Sequence, residues 1–239
     1  MHHWNAVVRL TASILLLASI TTGASAAKKP KSGPYDPHID PANFQSRVDH
    51  PYFPLVPGTK LVYRETLGGE TSINEMTVLP ETRQVHGVAC TVVHDVVKQG
   101  ESIKEDTMDW YAQDKQGNVW YFGEDTKEYF PHGRVSTEGS WESGVKGGLA
   151  GIVMPAEPTP AAPYRQEYGK GVAEDMGQVV ATGEKVTVPY AAFTECVKTK
   201  EWSLLEAGHE WKWYAKGIGF VHSISSSKED VVLLSVSHP

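Results

Sequence analysis

Three side chains in the middle of the chain could do acid–base chemistry: Asp109, Tyr111 and Tyr121. They flank Asp114-Lys115-Gln116-Gly117, which suits a type I turn because Asp stands first and Gly stands where a left-handed residue is needed. This turn predicts a hairpin with Tyr111 opposite Tyr121. Because side chains alternate along a strand, the carboxylate and both phenols share one face. Such a group could transfer a proton or bind a polar part of a ligand.

The opposite face of this hairpin is apolar and predicts core packing. The same register places Ala112 opposite Trp120 and Trp110 opposite Phe122. A register shifted by one residue would mix apolar and polar side chains on both faces, which favours this pairing. We therefore expect the Trp110 face to be core and the Asp109 face to border a wet cavity.

Two further residues complete the predicted ligand site. Residues 131–163 are rich in Gly and Pro, which is typical of a long loop or lid, and Trp141 would anchor it. A buried carboxylate at Asp109 needs a partner, for which Arg165 is the candidate. The predicted ligand-binding residues are Asp109, Tyr111, Tyr121, Trp141 and Arg165.

Metal and serine chemistry lack a matching motif. The carboxylates of residues 105–128 do not have EF-hand spacing and predict a solvated acidic rim. The ten His residues form no HExxH or similar spacing. A metal site built from distant strands stays open, with copper as the natural ion because His and Met are available. No G-x-S-x-G motif is present, and we predict no metal and no cofactor.

The first 26 residues predict a secretory signal peptide. Arg9 precedes an apolar run from Ile14 to Ile20, and Ala24-Ser25-Ala26 gives a small-x-small cleavage pattern. The run is too short to span a bilayer. We therefore predict cleavage near Ala26, export to the periplasm or the medium, and no transmembrane segment afterwards. The formal net charge of −7 argues against a nucleic-acid partner.

The two cysteines, Cys90 and Cys196, are predicted to form a disulfide, because thiols in an oxidising compartment most often pair. This bond would close a loop of roughly a hundred residues and stabilise the fold by about 4 kcal/mol. The alternative is a free thiol nucleophile with His94 as its base. If the turn at Lys98-Gln99-Gly100 repeats the bulged geometry, Cys90 lies opposite Met108 and His94 opposite Lys104.

From residue 59 to 239, β-rich segments alternate with turn residues at short intervals, and no helix longer than two turns is predicted. Ten or so antiparallel strands joined to their neighbours predict an up-and-down meander. A sheet that long curls or closes, so we predict an all-β barrel or strongly curved half-barrel, with a two-sheet sandwich as second choice. Residues 27–58 are Pro-rich and predict an irregular leader whose Phe53 and Leu55 pack on the domain.

Several sequence motifs of the chain resemble those of a family of exported, uncharacterised bacterial proteins of similar length. They are YFPLVPGT at 52–59, DWYAQDKQGNVWYFGED at 109–125, MPAEP at 154–158, YRQEY at 164–168, VTVPYAAFTECVKTKEW at 186–202 and YAKGIGFV at 214–221. The resemblance implies export and carries no activity with it. VTVPYAAF and YAKGIGFV are also similar to phrases of curved-sheet periplasmic carriers of the lipoprotein-carrier type.

Three functions are consistent with these features. The first is an exported soluble protein that binds a small apolar or amphipathic ligand in a barrel cavity, with residues 131–163 as lid. The second is an enzyme that uses Asp109 with Tyr111 or Tyr121 as acid–base groups. The third is an envelope structural or interaction protein without a small-molecule site. A cavity beside Tyr111 would favour the first two functions over the third.

Overall fold

Short turns divide the chain into strands in the computed structural model, which describes residues 35–45 and 47–239. The predicted signal peptide and its cleavage site lie outside the described residues. The strands are β1 (Phe44–Gln45), β2 (Val48–His50), β3 (Phe53–Leu55), β4 (Lys60–Leu67), β5 (Glu70–Val85), β6 (Val88–Gln99), β7 (Ser102–Asp114), β8 (Val119–Tyr129), β9 (Val135–Ser136), β10 (Trp141–Glu142), β11 (Leu149–Met154), β12 (Tyr164–Arg165), β13 (Glu167–Tyr168), β14 (Asp175–Thr187), β15 (Ala192–Ser203), β16 (Glu210–Ala215), β17 (Gly219–Ser225) and β18 (Asp230–Ser237). Two 3₁₀ turns, Pro41–Asn43 and Pro131–Gly133, complete the described elements. None of the described helices is long and apolar enough to cross a bilayer.

The main sheet is antiparallel and nearly closes into a barrel. Strands β14 to β18 follow in order, β18 pairs with β4, and β4 to β8 lead to β11. The two remaining edges are bridged by the segment 164–168, in which β12 pairs with β14 and β13 pairs with β11. Between them, the Gln166 amide donates to the Asp175 carbonyl at 2.9 Å. The prediction of an all-β, antiparallel barrel is confirmed.

The later part of the leader closes one end of this barrel. Strands β2 and β3 form a separate hairpin whose Phe53 and Leu55 are buried in the main core. The Phe53 ring lies 5.4 Å from the Tyr111 ring, centroid to centroid. The Gly217 amide also donates to the Pro51 carbonyl at 2.7 Å. The leader is therefore irregular only in part, and its hairpin acts as a plug.

A second apolar cluster lies on the outside of the barrel wall and is called the outer cluster. Its buried members are Val85, Val88, Cys90, Val92, Trp110, Ala112, Phe122 and Ala150. Leader residues Ile39 and Phe44 pack against it, with the Phe44 and Phe122 rings 5.3 Å apart. The Trp110 face is buried as predicted, but the leader covers it.

The β7–β8 hairpin has the predicted register near its turn. Tyr111 pairs with Tyr121, and the Asp114 carboxylate accepts from the Asn118 amide at 2.9 Å, as suits the first position of the turn. Beyond Tyr111 a bulge places Trp110 opposite Gly123 instead of Phe122. A Cβ at Gly123, where φ is +132°, would come within 2.3 Å of the Trp141 carbonyl oxygen. The bulge thus lets β10 approach β8 closely.

The predicted β6–β7 register is wrong. Gln99 pairs with Ser102, which leaves a two-residue turn, and His94 lies opposite Met108 rather than Lys104. A further bulge follows Val97. The prediction assumes the three-residue turn of the neighbouring hairpin. The actual turn is one residue shorter and lies later in the chain, and the bulge shifts the pairs again, so that the partner of His94 lies four positions beyond the predicted one.

The predicted disulfide between Cys90 and Cys196 is also wrong. Cys90 lies in the outer cluster and Cys196 in the barrel core, both as free thiols. Five strands separate β6 from β15 in the sheet order. Burial raises the pKa of Cys90 to about 12 and that of Cys196 to about 11. His94 bonds the Asp106 carboxylate at 2.9 Å, so the alternative Cys–His nucleophile lacks support.

The segment predicted as a long loop or lid, 131–163, contributes strands instead. Strands β9 and β10 pair with β8, and β11 is part of the barrel wall. Trp141 is buried in the main core, as expected of an anchor, and Met154 is buried there as well. Gly and Pro in this segment mark its tight turns.

Candidate functional site

The predicted polar face points into the barrel. The Tyr121 hydroxyl donates to Asp109 Oδ1 at 2.6 Å, and the Tyr111 and Tyr121 rings stack at 4.9 Å. Both tyrosines are fully buried, and Asp109 is nearly so. Alternation along β7 and β8 therefore brings together the three residues that the sequence grouped.

Buried carboxylates surround these phenols. Burial raises the pKa of Tyr111 well above its usual value, and the negative charge of Asp109 raises it further. Burial, assisted by Asp109, also raises the pKa of Asp95, whose Oδ1 accepts from Asn74 Nδ2 at 2.6 Å. Tyrosines and Asp95 are therefore held in their neutral forms. In the part of the chain that the structure describes, the Tyr111 hydroxyl has no hydrogen-bond partner.

Neighbouring rings fill the space beside this group. Phe53 packs on one side of Tyr111 and Tyr121 on the other, and Trp141 meets Tyr121 edge-on at 5.6 Å. The Asp109 face is therefore packed core, whereas the sequence predicted the border of a wet cavity. Acid–base catalysis there would first require the barrel to open.

Arg165, the predicted partner of Asp109, lies against aromatic rings of the leader and of β13. Its guanidinium sits 5.5 Å from the Tyr35 ring and 5.1 Å from the Tyr168 ring, and it donates to the Glu167 carbonyl at 3.5 Å. Burial raises the pKa of Tyr35 to about 12, an effect that the Arg165 charge reduces. Arg165 thus fastens the leader to the barrel wall.

Trp141 connects the buried group to the protein surface. It is only 8% exposed, it contacts Tyr121 on its inner side, and it lines a surface cavity on the other. Within the described residues, its Nε1–H has no acceptor. Trp141 is therefore the predicted ligand residue that reaches a cavity.

This surface cavity has a volume of about 330 Å³. Its walls come from five parts of the chain: Arg83, Trp110, Glu124 with Asp125, the segment 140–148 and the segment 169–172. Its rim carries two valines, Val145 and Val172, that are nearly half exposed. We call it the Trp141 cavity.

Charges in the Trp141 cavity balance. The lining has three cations, Arg83, Lys146 and Lys170, and three carboxylates, Glu124, Asp125 and Glu142. Arg83 lies 4.0 Å above the Trp110 ring and bonds Glu142 at 2.8 Å. The cavity therefore does not select strongly by net charge.

Only part of this cavity could be predicted from the sequence. Trp141 stood out in its Gly-rich segment, but Arg83, Lys146 and Lys170 are far apart in the chain and carry no motif. Trp110 was correctly assigned as buried, and one edge of it also lines the cavity. Only the bulge at Gly123 and the approach of β10 reveal that these residues meet.

A second, smaller cavity of about 70 Å³ lies at the barrel end opposite the plug. It is lined by polar groups that include Asp175, Glu201 and Glu210. The buried Lys212 bridges Glu201 and Glu210 at 2.9 and 2.8 Å. In the described ranges, no three His, Cys, Asp or Glu side chains are arranged to hold a metal.

Comparison with known proteins found a match among solved structures. No protein-family model matches the chain, and no curated protein matches it. Among solved structures, it is similar to a presumed exported protein with a YmcC-like fold from Bacteroides fragilis. The TM-score is 0.47 at 16% identity, and the match covers 78% of this chain and 99% of that one. The family resemblance of the sequence phrases stays a prediction.

Proposed function

We propose that this protein is an exported binding protein that holds a small amphipathic ligand in the Trp141 cavity. The observation that carries the proposal is the cavity itself, a space of about 330 Å³ that is walled by the indoles of Trp110 and Trp141. Export rests on the predicted signal peptide at residues 1–26. The site differs from the barrel interior that the sequence favoured.

The cavity walls suit an apolar or aromatic group. Trp110 and Trp141 supply large apolar surfaces, and Val145 and Val172 extend them to the rim. The volume is at the lower end of the range of small-molecule sites. A ligand of one or two rings fits these dimensions.

Charged side chains of the lining suit a polar part of the ligand. Three cations and three carboxylates line the cavity, and both kinds form charge-assisted hydrogen bonds. Since their charges balance, the lining favours an amphipathic ligand over a highly charged one.

Isothermal titration calorimetry with 2-naphthalenesulfonate, a two-ring amphipathic probe, tests this proposal. We expect saturable binding to the wild type and a roughly tenfold weaker affinity for Val145→Ser/Val172→Ser, which removes apolar surface from the rim of the cavity. Val56→Ser/Val135→Ser changes two similarly exposed valines outside the cavity; it is the matched control and should bind like the wild type. Equal affinities for Val145→Ser/Val172→Ser and wild type would exclude the cavity as the site.

An envelope structural or interaction protein is the second candidate function. It is favoured by the filled barrel interior, where Phe53 and Tyr121 occupy the space beside Tyr111. Native mass spectrometry of the protein purified from its host separates the two functions. A co-purifying small molecule supports a binding protein, whereas a heterologous protein complex without one supports the second candidate.

A further inference from the structure

The outer wall of β15 and β16 carries an alternating row of tryptophans and lysines. Because side chains alternate, Lys198, Lys200 and Trp202 on β15 point outward together with Trp211 and Trp213 on β16. Register places Lys200 beside Trp211 and Lys198 beside Trp213. We call these five residues the Trp–Lys wall.

The lysines of this wall are held by the rings rather than by carboxylates. Lys198 Nζ lies 4.7 Å from the Trp211 ring and 4.6 Å from the Trp213 ring. Lys200 Nζ lies 5.8 Å from both the Trp202 and the Trp211 rings. In residues 35–45 and 47–239, neither lysine takes part in an ion pair.

Exposed apolar side chains adjoin the Trp–Lys wall. Leu204 and Leu205, in the loop that follows β15, are 53% and 43% exposed, and Ile224 beside Trp211 is 40% exposed. The loop is fixed to the barrel, because the Leu204 amide donates to the Glu174 carbonyl at 2.9 Å. A firmly held loop tip with two exposed leucines is costly in water unless a partner covers it.

Two carboxylates near this wall have partners of their own. Asp230 bonds His222 at 2.9 Å, and Glu210 bonds the buried Lys212 at 2.8 Å. The two wall lysines, whose contacts are with indole rings, present positive charge on a protein whose formal net charge is −7. This local positive charge complements an anionic surface.

We propose that the Trp–Lys wall and the Leu204–Leu205 loop dock onto an anionic lipid bilayer. Indole rings are favoured at the boundary between headgroups and acyl chains, where one end is apolar and the other wet. Lysines extend their ammonium groups to anionic headgroups while their stems stay on apolar surface. The exposed leucines enter the acyl region, as in other peripheral anchors. This surface is separate from the Trp141 cavity.

A bilayer fits these features better than an acidic polysaccharide. Both would engage the lysines and the indoles. Two adjacent leucines at a loop tip gain free energy only by leaving water for an apolar phase, which lipid offers. Whether the leucines contribute to binding therefore distinguishes a lipid bilayer from an acidic polysaccharide as the partner.

Co-sedimentation with lipid vesicles tests the proposal. We expect the protein to bind vesicles of equal parts phosphatidylcholine and phosphatidylglycerol, and to bind pure phosphatidylcholine much more weakly. The double variant Lys198→Gln/Lys200→Gln should lower the partition coefficient by about 30-fold, since each cation near an anionic surface contributes about fivefold. The variant Leu204→Ser/Leu205→Ser should lower it by about tenfold or more.

Matched controls remove the same charge, or a comparable apolar surface, at positions outside the Trp–Lys wall. Lys115→Gln/Lys127→Gln takes two exposed lysines from the β7–β8 hairpin, and Val56→Ser/Val135→Ser takes two exposed valines from outside the wall. Both should retain vesicle binding. Circular dichroism melts of each variant test whether it is folded, and only folded variants are compared.

Three results would overturn the proposal. One is absence of binding to the anionic vesicles at low salt. Another is an equal loss of binding in the wall variant and the Lys115→Gln/Lys127→Gln control, which would show unspecific attraction. The third is retention of the Leu204→Ser/Leu205→Ser variant on vesicles at wild-type strength together with tight binding to polygalacturonate, which would assign the wall to an acidic glycan.

Discussion

Glu229 makes this protein less stable as pH rises, and the size of the effect follows from its surroundings. The residue lies in the turn between β17 and β18, is 4% exposed, and its Oε1 has no partner among the described residues. Burial and the nearby Glu210 raise its pKa from 4.5 to about 8, an increase that Lys212 opposes. The folded protein therefore keeps this proton over a range in which the unfolded chain releases it.

The sign and magnitude come from proton linkage. The contribution of Glu229 is fully present below pH 4.5 and is lost as pH rises to 8. At about 1.4 kcal/mol per pKa unit, the loss amounts to about 5 kcal/mol. Glu229→Gln cannot ionise, so it should match the wild type near pH 4 and exceed its stability by several kcal/mol near pH 8.

Urea unfolding at a series of pH values measures this difference. The free energy of unfolding of Glu229→Gln minus that of the wild type should increase steadily with pH. Glu138→Gln changes an exposed residue and should give a constant difference near zero. A Glu229→Gln difference that is independent of pH would refute the reasoning, because the carboxyl would then ionise alike in the folded and unfolded states.

Two further predictions concern the plug and the thiols. Phe53→Ala should lower the free energy of unfolding by about 3–5 kcal/mol, because it empties the space between the Tyr111 and Tyr214 rings, and the exposed Val56→Ala is the control in the same urea titration. A reductant should leave the unfolding midpoint unchanged, since Cys90 and Cys196 are unpaired; a midpoint that falls with dithiothreitol would show that the cysteines are linked.

The turn chemistry and strand periodicity were sufficient to predict the class of fold and the inner face of the β7–β8 hairpin. Asp114 and Gly117 fix that turn locally, so the Tyr111–Tyr121 pair followed from neighbouring residues alone. The bulges at Phe122 and after Val97 did not follow, because they depend on what the strand meets elsewhere. At Gly123, that partner is the Trp141 backbone, some twenty residues away in the chain.

The sequence alone could not show which residues that are distant in the chain lie close together in the fold. Cys90 and Cys196 were paired on compartment chemistry, yet one faces the leader and the other the barrel core. Arg165 lies against Tyr35 and Tyr168, contacts that no local pattern in the sequence indicates. Likewise, the Trp141 cavity joins residues from distant segments, and no local pattern marks such a meeting.

The pairing of β18 with β4 has a consequence for how the chain reaches its native state. Seven register pairs join these strands, from Asp230 with Thr66 to Ser237 with Lys60. During synthesis β4 is made well before β18, so the wall stays open on this side of β4 until β18 has been made. Contacts so distant in sequence slow folding. β4 therefore keeps one unpaired edge until β18 is available, and its protection from aggregation depends on what covers that edge in the meantime.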